Sequence, residues 1–370
     1  MEYIVQFFTG GWEKATYNAK QIIERLNFLT GEINIKKVIL GWNIDSSIYT
    51  EANAYLKNKG IDSLLWLPVF SETGELRESD EAVDFWGHEI GNLALQEGEN
   101  FTFYCPSSER NIQNVIDIYE KYFKECGFDG VFLDKIRSQS FVGGVSGVIS
   151  CGCGRCQGIY KDKGISVTGI AQKYEIFKDA FFDTEDDFAR NGFKPLDNDA
   201  MEFFKVKSEI ISSGVQRLCR YFKGEGMQVG LDLYAPFLSG FVGQDYESIA
   251  KEADFIKPMM YRMTEAPAGI KYEYELLKKS IPGAKGYGDL TFDDEFIKEQ
   301  MAGIKGLSCQ KYPGVEINYR EDIARTNPEY IKRSIKAFCE GGADGAVLSW
   351  DVMLAPDSHI RAVRELLEIM

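Results

Sequence analysis

Histidine is scarce in this sequence: the 370 residues include only His88 and His359, far apart in the chain. Two histidines are too few for a three-histidine metal site, and they leave only two candidates for the histidine of a Ser-His-Asp triad. The scarcity argues against both kinds of catalytic site. His88 could still contact a substrate from its loop.

Basic runs and long apolar runs are missing as well. The formal net charge is −15, and nowhere do five consecutive Lys or Arg residues occur. Nucleic acids and anionic membranes attract basic patches, so neither is an expected partner. No apolar stretch approaches the roughly 20 residues of a membrane span. The first residues lack the basic and long apolar regions of a signal peptide.

Cysteine is too sparse for a disulfide scaffold, at eight residues in the whole chain. Together with the missing signal peptide this indicates a cytoplasmic protein, although a trimmed export signal would leave the same pattern. Three cysteines are nevertheless clustered, in the sequence Cys-Gly-Cys-Gly-Arg-Cys at Cys151, Cys153 and Cys156. Thiolates at such short spacing can close around a tetrahedral ion, so this loop is a candidate structural zinc site with Cys105 or His88 as fourth ligand. A local disulfide or free thiols are the alternatives.

What the sequence has in quantity is an alternation of apolar β-type runs with segments of helical period. This alternation predicts an α/β fold, a (β/α)8 TIM barrel with long loops after strands 3 and 4. A doubly wound sheet is the alternative. We expect a single catalytic domain over residues 1–370, with a lid-like insertion at about 138–198. The predicted strands are Tyr3–Thr9, Lys37–Asn43, Ser63–Phe70, Val131–Asp134, Gln228–Tyr234, Asp254–Tyr261, Gly314–Tyr319 and Gly345–Trp350.

Charged and aromatic residues stand at the ends of these strands. In the clearest example a turn from Gly127 and the apolar run Val131–Leu133 lead directly into Asp134. The carboxyl ends of all strands meet at one mouth of a barrel, where such enzymes bind their substrates. The candidate catalytic acids are Asp134, Glu316 and Asp232, and the candidate substrate contacts are Trp42, Trp66, Lys135, Arg137, Tyr234, Lys257, Tyr261, Asn318, Trp350 and Asp351.

Several carboxylates among Trp and Tyr side chains fit the cleavage of glycosidic bonds. One acid must donate a proton to the leaving oxygen, while another stays ionised against an oxocarbenium-like transition state. The flat aromatic faces can carry sugar rings. We therefore predict a glycoside hydrolase acting on an oligo- or polysaccharide, with no cofactor required for catalysis and a homo-oligomer left open.

The motifs around the fourth strand also carry a family resemblance. Cys105-Pro106-Ser107, a helix, and then Gly127 to Arg137 resemble the corresponding region of bacterial TIM-barrel glycoside-hydrolase-like proteins. Further matches are Gly230 to Pro236, Val242 to Tyr246, Ile256 to Tyr261 and Gly345 to Asp351. The resemblance implies a barrel, sugar hydrolysis and a catalytic Asp134.

The resemblance leaves the partner of Asp134 open. In barrels with acids on strands four and seven, Glu316 would be the nucleophile and Asp134 the acid. In those resembling α-galactosidases, the fourth-strand acid is the nucleophile and a later acid donates the proton. Glu316 is our first expectation, followed by Asp232 and then Asp351.

Two other functions compete with hydrolysis. A carbohydrate-binding barrel without catalysis would keep the aromatic residues but lack a properly spaced pair of acids. An aldolase-type lyase would form a Schiff base on Lys257, which needs an uncharged amine. A lysine among several acids is more readily explained by an ion pair with one of them.

Overall fold

The computed structural model describes residues 2–90, 102–176, 182–183, 194–195, 198–281 and 290–369. Eight parallel strands pair in the order β7–β8–β1–β2–β3–β4–β5–β6, and β6 pairs with β7 to close the ring. The predicted (β/α)8 TIM barrel is therefore confirmed, and an open doubly wound sheet is excluded because both edges are paired. The barrel strands are β1 Glu2–Phe8, β2 Ile35–Gly41, β3 Asp62–Pro68, β4 Gly130–Asp134, β5 Gln228–Tyr234, β6 Phe255–Met259, β7 in two pieces, Gln310–Lys311 and Gly314–Glu316, and β8 Gly345–Ser349.

Helices fill the connections and cover the outside of the barrel. The described α-helices are α1 Ala19–Glu32, α2 Ser46–Lys59, α3 Glu109–Ile118, α4 Gly144–Val148, α5 Gly154–Asp162, α6 Val167–Ile176, α7 Asn198–Gly224, α8 Pro236–Ser239, α9 Tyr246–Ile249, α10 Ile270–Ser280, α11 Asp294–Ile304, α12 Pro328–Glu340 and α13 Asp357–Ile369. Helix α3 continues through a π-helical turn, Tyr119–Phe123, and a 3-10 turn, Lys124–Cys126. Within the described ranges, no helix is both long and apolar enough to cross a membrane.

Several strand ends differ from the sequence prediction. Strands β2 and β3 stop at Gly41 and Pro68, each two residues early, and β1 and β8 stop one residue early. Strand β6 stops at Met259 and β7 at Glu316, two and three residues before the predicted ends. Pro313 lies between the two pieces of β7, and a proline cannot donate a ladder hydrogen bond. Before α3, single β-bridges join Phe103 to Ser71 and Tyr104 to Glu81.

The chain after β4 packs against the barrel as far as it is described. Ser140 donates a hydrogen bond to Glu273 on α10, and the rings of Phe141 and Phe241 meet at 5.1 Å. The buried ammonium of Lys207 on α7 binds the carbonyl oxygen of Phe241 at 2.7 Å. The expectation of a lid-like insertion at about 138–198 falls partly outside the described residues and stays a prediction.

Candidate active site

A cavity of about 240 Å³ lies at the carboxyl ends of the barrel strands. The convergence expected from the sequence thus brings nine of the thirteen predicted site residues together. Those nine are Trp42, Trp66, Asp134, Lys135, Arg137, Asp232, Lys257, Tyr261 and Trp350. Ligand pockets for drug-sized molecules usually measure about 300–1,000 Å³. The described cavity is smaller, so it suits one ring of a larger ligand.

Asp134 is the last residue of β4, and its two carboxylate oxygens accept different N–H groups. Oδ2 accepts from the indole Nε1 of Trp66 at 2.9 Å, and Oδ1 accepts from the backbone N–H of Lys135 at 2.5 Å. Lys135 has a φ of 51°, in the left-handed region. Non-glycine residues adopt this region at a cost of roughly 1–3 kcal/mol. The two donors hold the carboxylate of Asp134 in a fixed orientation.

The pairing of β4 with β5 places a second acid beside the first. Leu133 pairs with Leu231, so the next residues along the two strands are Asp134 and Asp232. Neighbouring strands lie about 4.8 Å apart, and both side chains line the cavity. The charge of Asp134 also contributes to the raised pKa of Asp232. The barrel therefore offers two adjacent carboxyl groups at one wall of the cavity.

Asp232 is buried and only half satisfied by the protein. Its Oδ2 accepts a hydrogen bond from Nζ of Lys257 at 3.0 Å, whereas Oδ1 has no hydrogen-bond partner among the described residues. Burial raises the pKa of Asp232 to about 7, against the opposing charge of Lys257. A carboxyl group with such a pKa can both hold and release a proton near neutral pH.

Lys257 lies on β6, and its ammonium is enclosed by the barrel. Nζ donates to Asp232 and, also at 3.0 Å, to Oε1 of Gln6 on β1. Burial lowers the pKa of Lys257, but Asp232 and Tyr261 together outweigh this effect, so that the net shift of its pKa is upward. Gly314 on β7 makes room for the lysine, because a Cβ there would lie 2.8 Å from its Cε. The contact with Asp232 agrees with the expectation that Lys257 forms an ion pair with an acid. It does not favour the uncharged amine that a Schiff-base lyase needs.

Aromatic side chains build another wall of the cavity. The ring centroid of Trp42 lies 5.4 Å from that of Trp66 and 5.1 Å from that of Phe8. Gly41 at the end of β2 permits this packing, because a Cβ there would meet the carbonyl oxygen of Trp66 at 2.4 Å. Trp350 and Tyr261 stand together elsewhere along the lining, with centroids 6.2 Å apart. Such faces suit the apolar side of a sugar ring.

Besides Lys257, two cationic side chains line the cavity. The ammonium of Lys135 contacts the carboxylate of Glu72 and lies 4.9 Å from the ring centroid of Trp42. The guanidinium of Arg137 lies between the rings of Phe103 and Tyr234, at 4.7 and 4.5 Å from their centroids. Both cations are therefore held in place by neighbours before a ligand binds.

Glu316, the first choice as partner of Asp134, is placed elsewhere. Its Oε1 accepts hydrogen bonds from the backbone N–H groups of Met263 and Thr264, at 2.7 and 3.1 Å, and from the hydroxyl of Thr264. Its Oε2 accepts the hydroxyl of Tyr330 on α12. Glu316 is not among the residues that line the cavity. The geometry does not support it as the catalytic partner, because its oxygens are occupied in holding the chain after β6.

Three other predicted contacts also lie behind the cavity wall. Tyr234 donates its hydroxyl to Glu273 at 2.9 Å and covers Arg137. Asn318 accepts the backbone N–H of Trp350 at 3.2 Å. Asp351 accepts the backbone N–H of Met353 at 3.1 Å, and burial raises its pKa to about 7. None of the three lines the cavity: Tyr234 and Asn318 contact the lining residues Arg137 and Trp350, and Asp351 caps the turn after β8.

Gln6, the polar residue in the middle of β1, lines the cavity but belongs to no motif that marked it in the sequence. It is fully buried, and besides Lys257 it accepts the hydroxyl of Ser349 at 3.1 Å. Its Nε2 and the Nε1 of Trp42 have no hydrogen-bond partner among the residues described. A glutamine inside an otherwise apolar strand is the sequence feature that could have marked this residue as part of the site. The loop Thr264–Ala268 and residues 322–323 also line the cavity, and no sequence pattern marked them.

The cysteine motif forms a cluster away from this cavity. Cys105, Cys151, Cys153 and Cys156 have sulfur atoms that all lie within 4.8 Å of one another. The fourth residue is thus Cys105, one of the two expected. His88 instead lies beside Asp84 with its side chain largely exposed. A buried group of four cysteines could bind a structural metal such as zinc.

Comparisons with solved structures find the same barrel in carbohydrate-cleaving enzymes. The glycoside hydrolase domain of PgaB (BpsB) from Bordetella bronchiseptica matches with a TM-score of 0.62 at 16% identity, covering 99% of this chain and 98% of that chain. The catalytic domain of β-amylase from Paenibacillus polymyxa matches at 0.58 and 9% identity, covering 98% and 97%. A Group IV chitinase from Ostrinia furnacalis matches at 0.50 and 11% identity over 100% of both chains.

At these identities the likeness is one of fold. The predicted resemblance to TIM-barrel glycoside hydrolases is confirmed at that level. No family model matches the sequence. No curated protein matches it either.

Proposed function

We propose that this protein is a glycoside hydrolase that cleaves an O-glycosidic bond of an oligo- or polysaccharide with the pair Asp134 and Asp232. The observation that carries the proposal is the position of these two acids, side by side on β4 and β5 in an aromatic-lined cavity. Cleavage of a glycosidic bond uses two carboxyl groups of unequal acidity. The two acids have different neighbours: Asp134 accepts two N–H groups, whereas Asp232 is buried and accepts only from Lys257 among the residues described.

Asp232 is the proposed proton donor and acceptor. Its pKa is raised to about 7, and Oδ1 is free of protein partners in the described part of the chain. In the first half of the reaction its proton passes to the leaving oxygen as the bond from that oxygen to the anomeric carbon breaks. If Asp134 has bonded to the anomeric carbon, Asp232 then takes a proton from the water that displaces Asp134; if water attacks directly, Asp134 takes that proton instead. Lys257 anchors the other oxygen and so holds the carboxyl group in place.

Asp134 is the proposed ionised partner. Its oxygens accept hydrogen bonds from Trp66 and the Lys135 backbone, and N–H donors suit an oxygen that carries negative charge. In this position it stabilises the positive charge that develops on the sugar, either by bonding to the anomeric carbon or by orienting a water. The stereochemistry of the product distinguishes the two, because direct bonding retains the configuration and water attack inverts it.

The surroundings of the pair suit a sugar. Trp42, Trp66, Tyr261 and Trp350 supply ring faces. Two donors that have no hydrogen-bond partner in the described stretches of chain, Nε1 of Trp42 and Nε2 of Gln6, can serve hydroxyl groups. The reaction proposed here needs only the two acids and water. The structural neighbours, a glycoside hydrolase domain, a β-amylase and a chitinase, support a carbohydrate substrate.

The test is hydrolysis of a panel of aryl α- and β-glycosides and oligosaccharides by the wild type and by Asp134→Asn. We expect the wild type to cleave at least one member and Asp134→Asn to lose several orders of magnitude in kcat. Asp351→Asn is the matched control and should keep the wild-type kcat. Asp351 also follows a barrel strand, and asparagine can cap the turn at Val352–Leu354 as well as aspartate does. Binding of oligosaccharides without cleavage of any would favour a carbohydrate-binding barrel.

A further inference from the structure

The four clustered cysteines have the spacing of ligands around one metal ion. Zinc–thiolate bonds measure about 2.3 Å, which for a tetrahedron gives sulfur–sulfur separations of about 3.8 Å. The Sγ of Cys105 lies 3.5 Å from that of Cys153 and 3.6 Å from that of Cys156. The remaining separations, including those of Cys151, are below 4.8 Å. A single ion at the centre would reach all four with small adjustments.

The surroundings of the cluster suit thiolates. Cys105, Cys151 and Cys156 are buried, and Cys153 is partly buried. The hydroxyl of Ser107 lies 3.1 Å from the sulfur of Cys105 and 3.3 Å from that of Cys156. Partners of this kind orient metal ligands from outside the coordination sphere.

We propose that Cys105, Cys151, Cys153 and Cys156 bind one zinc ion as four thiolates, and that the ion fastens the segment after β4 to the connection between β3 and α3. Soft thiolate ligands in a tetrahedral arrangement select zinc or iron. Four protein ligands leave no open position for substrate, which is the pattern of a structural site. The cluster shares no residue with the lining of the mouth cavity.

The cluster lies where three stretches of chain meet. The backbone N–H of Cys105 donates to Asp80, and that of Gly152 donates to Val83, both at 2.8 Å. Two residues before Cys105, Phe103 packs on the guanidinium of Arg137 in the cavity wall. By fixing Cys105, the ion therefore also fixes the nearby Phe103 ring, on which the guanidinium of Arg137 packs. If the proposed hydrolysis is right, loss of zinc raises KM more than it lowers kcat.

The test is the metal content of the reduced wild-type protein, purified without chelators and measured by mass spectrometry of the elements. We expect about one zinc per chain, released when the thiols are modified with a mercurial. Cys153→Ser, the least buried ligand, and Cys156→Ser lose most of this zinc. Cys339→Ser, on α12 and outside the cluster, keeps it. Replacing zinc by Co²⁺ gives the visible absorption bands of tetrahedral cobalt thiolate.

Three results would overturn the inference. The first is a folded wild type that has no zinc and takes up no added Zn²⁺ after reduction. The second is iron in place of zinc at the same stoichiometry. The third is a pair of disulfides among the four cysteines in the freshly purified protein. One zinc per chain in a protein that cleaves no glycoside would support the metal site and count only against the proposed hydrolysis.

Discussion

Replacement of Asp232 by asparagine separates the two candidate partners of Asp134. An amide cannot donate the proton that the leaving oxygen needs, and general acid–base catalysis contributes roughly 10²- to 10⁴-fold. We expect kcat of Asp232→Asn to fall by that factor on glycosides with poor leaving groups. The fall should be smaller on an activated aryl glycoside whose leaving group needs no proton. Steady-state assays on both kinds of substrate measure the difference.

The substitution also disturbs the barrel interior, and the structure gives the size of that effect. Lys257 is buried, and its ammonium donates to one side-chain oxygen of Asp232 and one of Gln6. Leaving a buried charge without its partner costs about 3–5 kcal/mol. The double variant Asp232→Asn/Lys257→Met removes the stranded charge. We expect it to recover most of the stability, measured by urea unfolding, without recovering activity.

Glu316→Gln is the matched comparison. Its carbonyl oxygen can keep the three hydrogen bonds from residues 263 and 264, and the Tyr330 hydroxyl can rotate to accept from the amide. We expect a loss of about 1–3 kcal/mol in stability and less than about 10-fold in kcat. If Glu316→Gln instead lost more activity than Asp232→Asn at equal folding, the assignment of the pair would be wrong.

Two further predictions concern the neighbours of the pair. Trp66→Phe removes the N–H donor to Asp134, and a charge-assisted hydrogen bond of this kind is worth about 1.5–3 kcal/mol. We therefore expect kcat to fall roughly 10- to 150-fold, while the control Trp86→Phe, at an exposed tryptophan, stays near wild type. Equal kcat values for the two variants would contradict the role of the Trp66 indole. Burial raises the pKa of Asp351 to about 7, above the value of about 3.9 in the unfolded chain, so its contribution to stability is complete below about pH 4 and is lost as the pH rises through 7. Between pH 5 and pH 8 the wild type should lose about 3 kcal/mol more unfolding free energy than Asp351→Asn, and equal losses in urea titrations would refute this.

The sequence determined the alternation of strands and helices, and with it the α/β class; the pairing of both sheet edges in the folded chain decided for a barrel over a doubly wound sheet. Runs such as Val131–Leu133 are apolar throughout, because strands in a parallel barrel are buried on both faces. Polar residues then stand at or near the carboxyl end of the strand, as Asp134 does at the end of β4 and Asp232 two residues before the end of β5. This is why Asp134, Asp232 and Lys257 could be assigned to the mouth from their positions in the chain alone.

Tertiary structure decided which strand-end residues face the cavity. Glu316 and Asp351 stand at strand ends as Asp232 does, yet both turn away, toward neighbouring backbone N–H groups and tyrosine hydroxyls. A sequence gives the type of each side chain but not the donors that the next loop will present to it. The register of β4 with β5, which makes Asp134 and Asp232 neighbours, is likewise a property of strand pairing.

The same division holds for the cysteines. The spacing within Cys-Gly-Cys-Gly-Arg-Cys predicted that three thiols lie together, because so few residues separate them. Only the folded chain selects Cys105 over His88 as the fourth member, from a segment 46 residues earlier than Cys151. Local chemistry follows from neighbours in sequence, whereas a site shared by distant segments exists only once the barrel has brought them into contact.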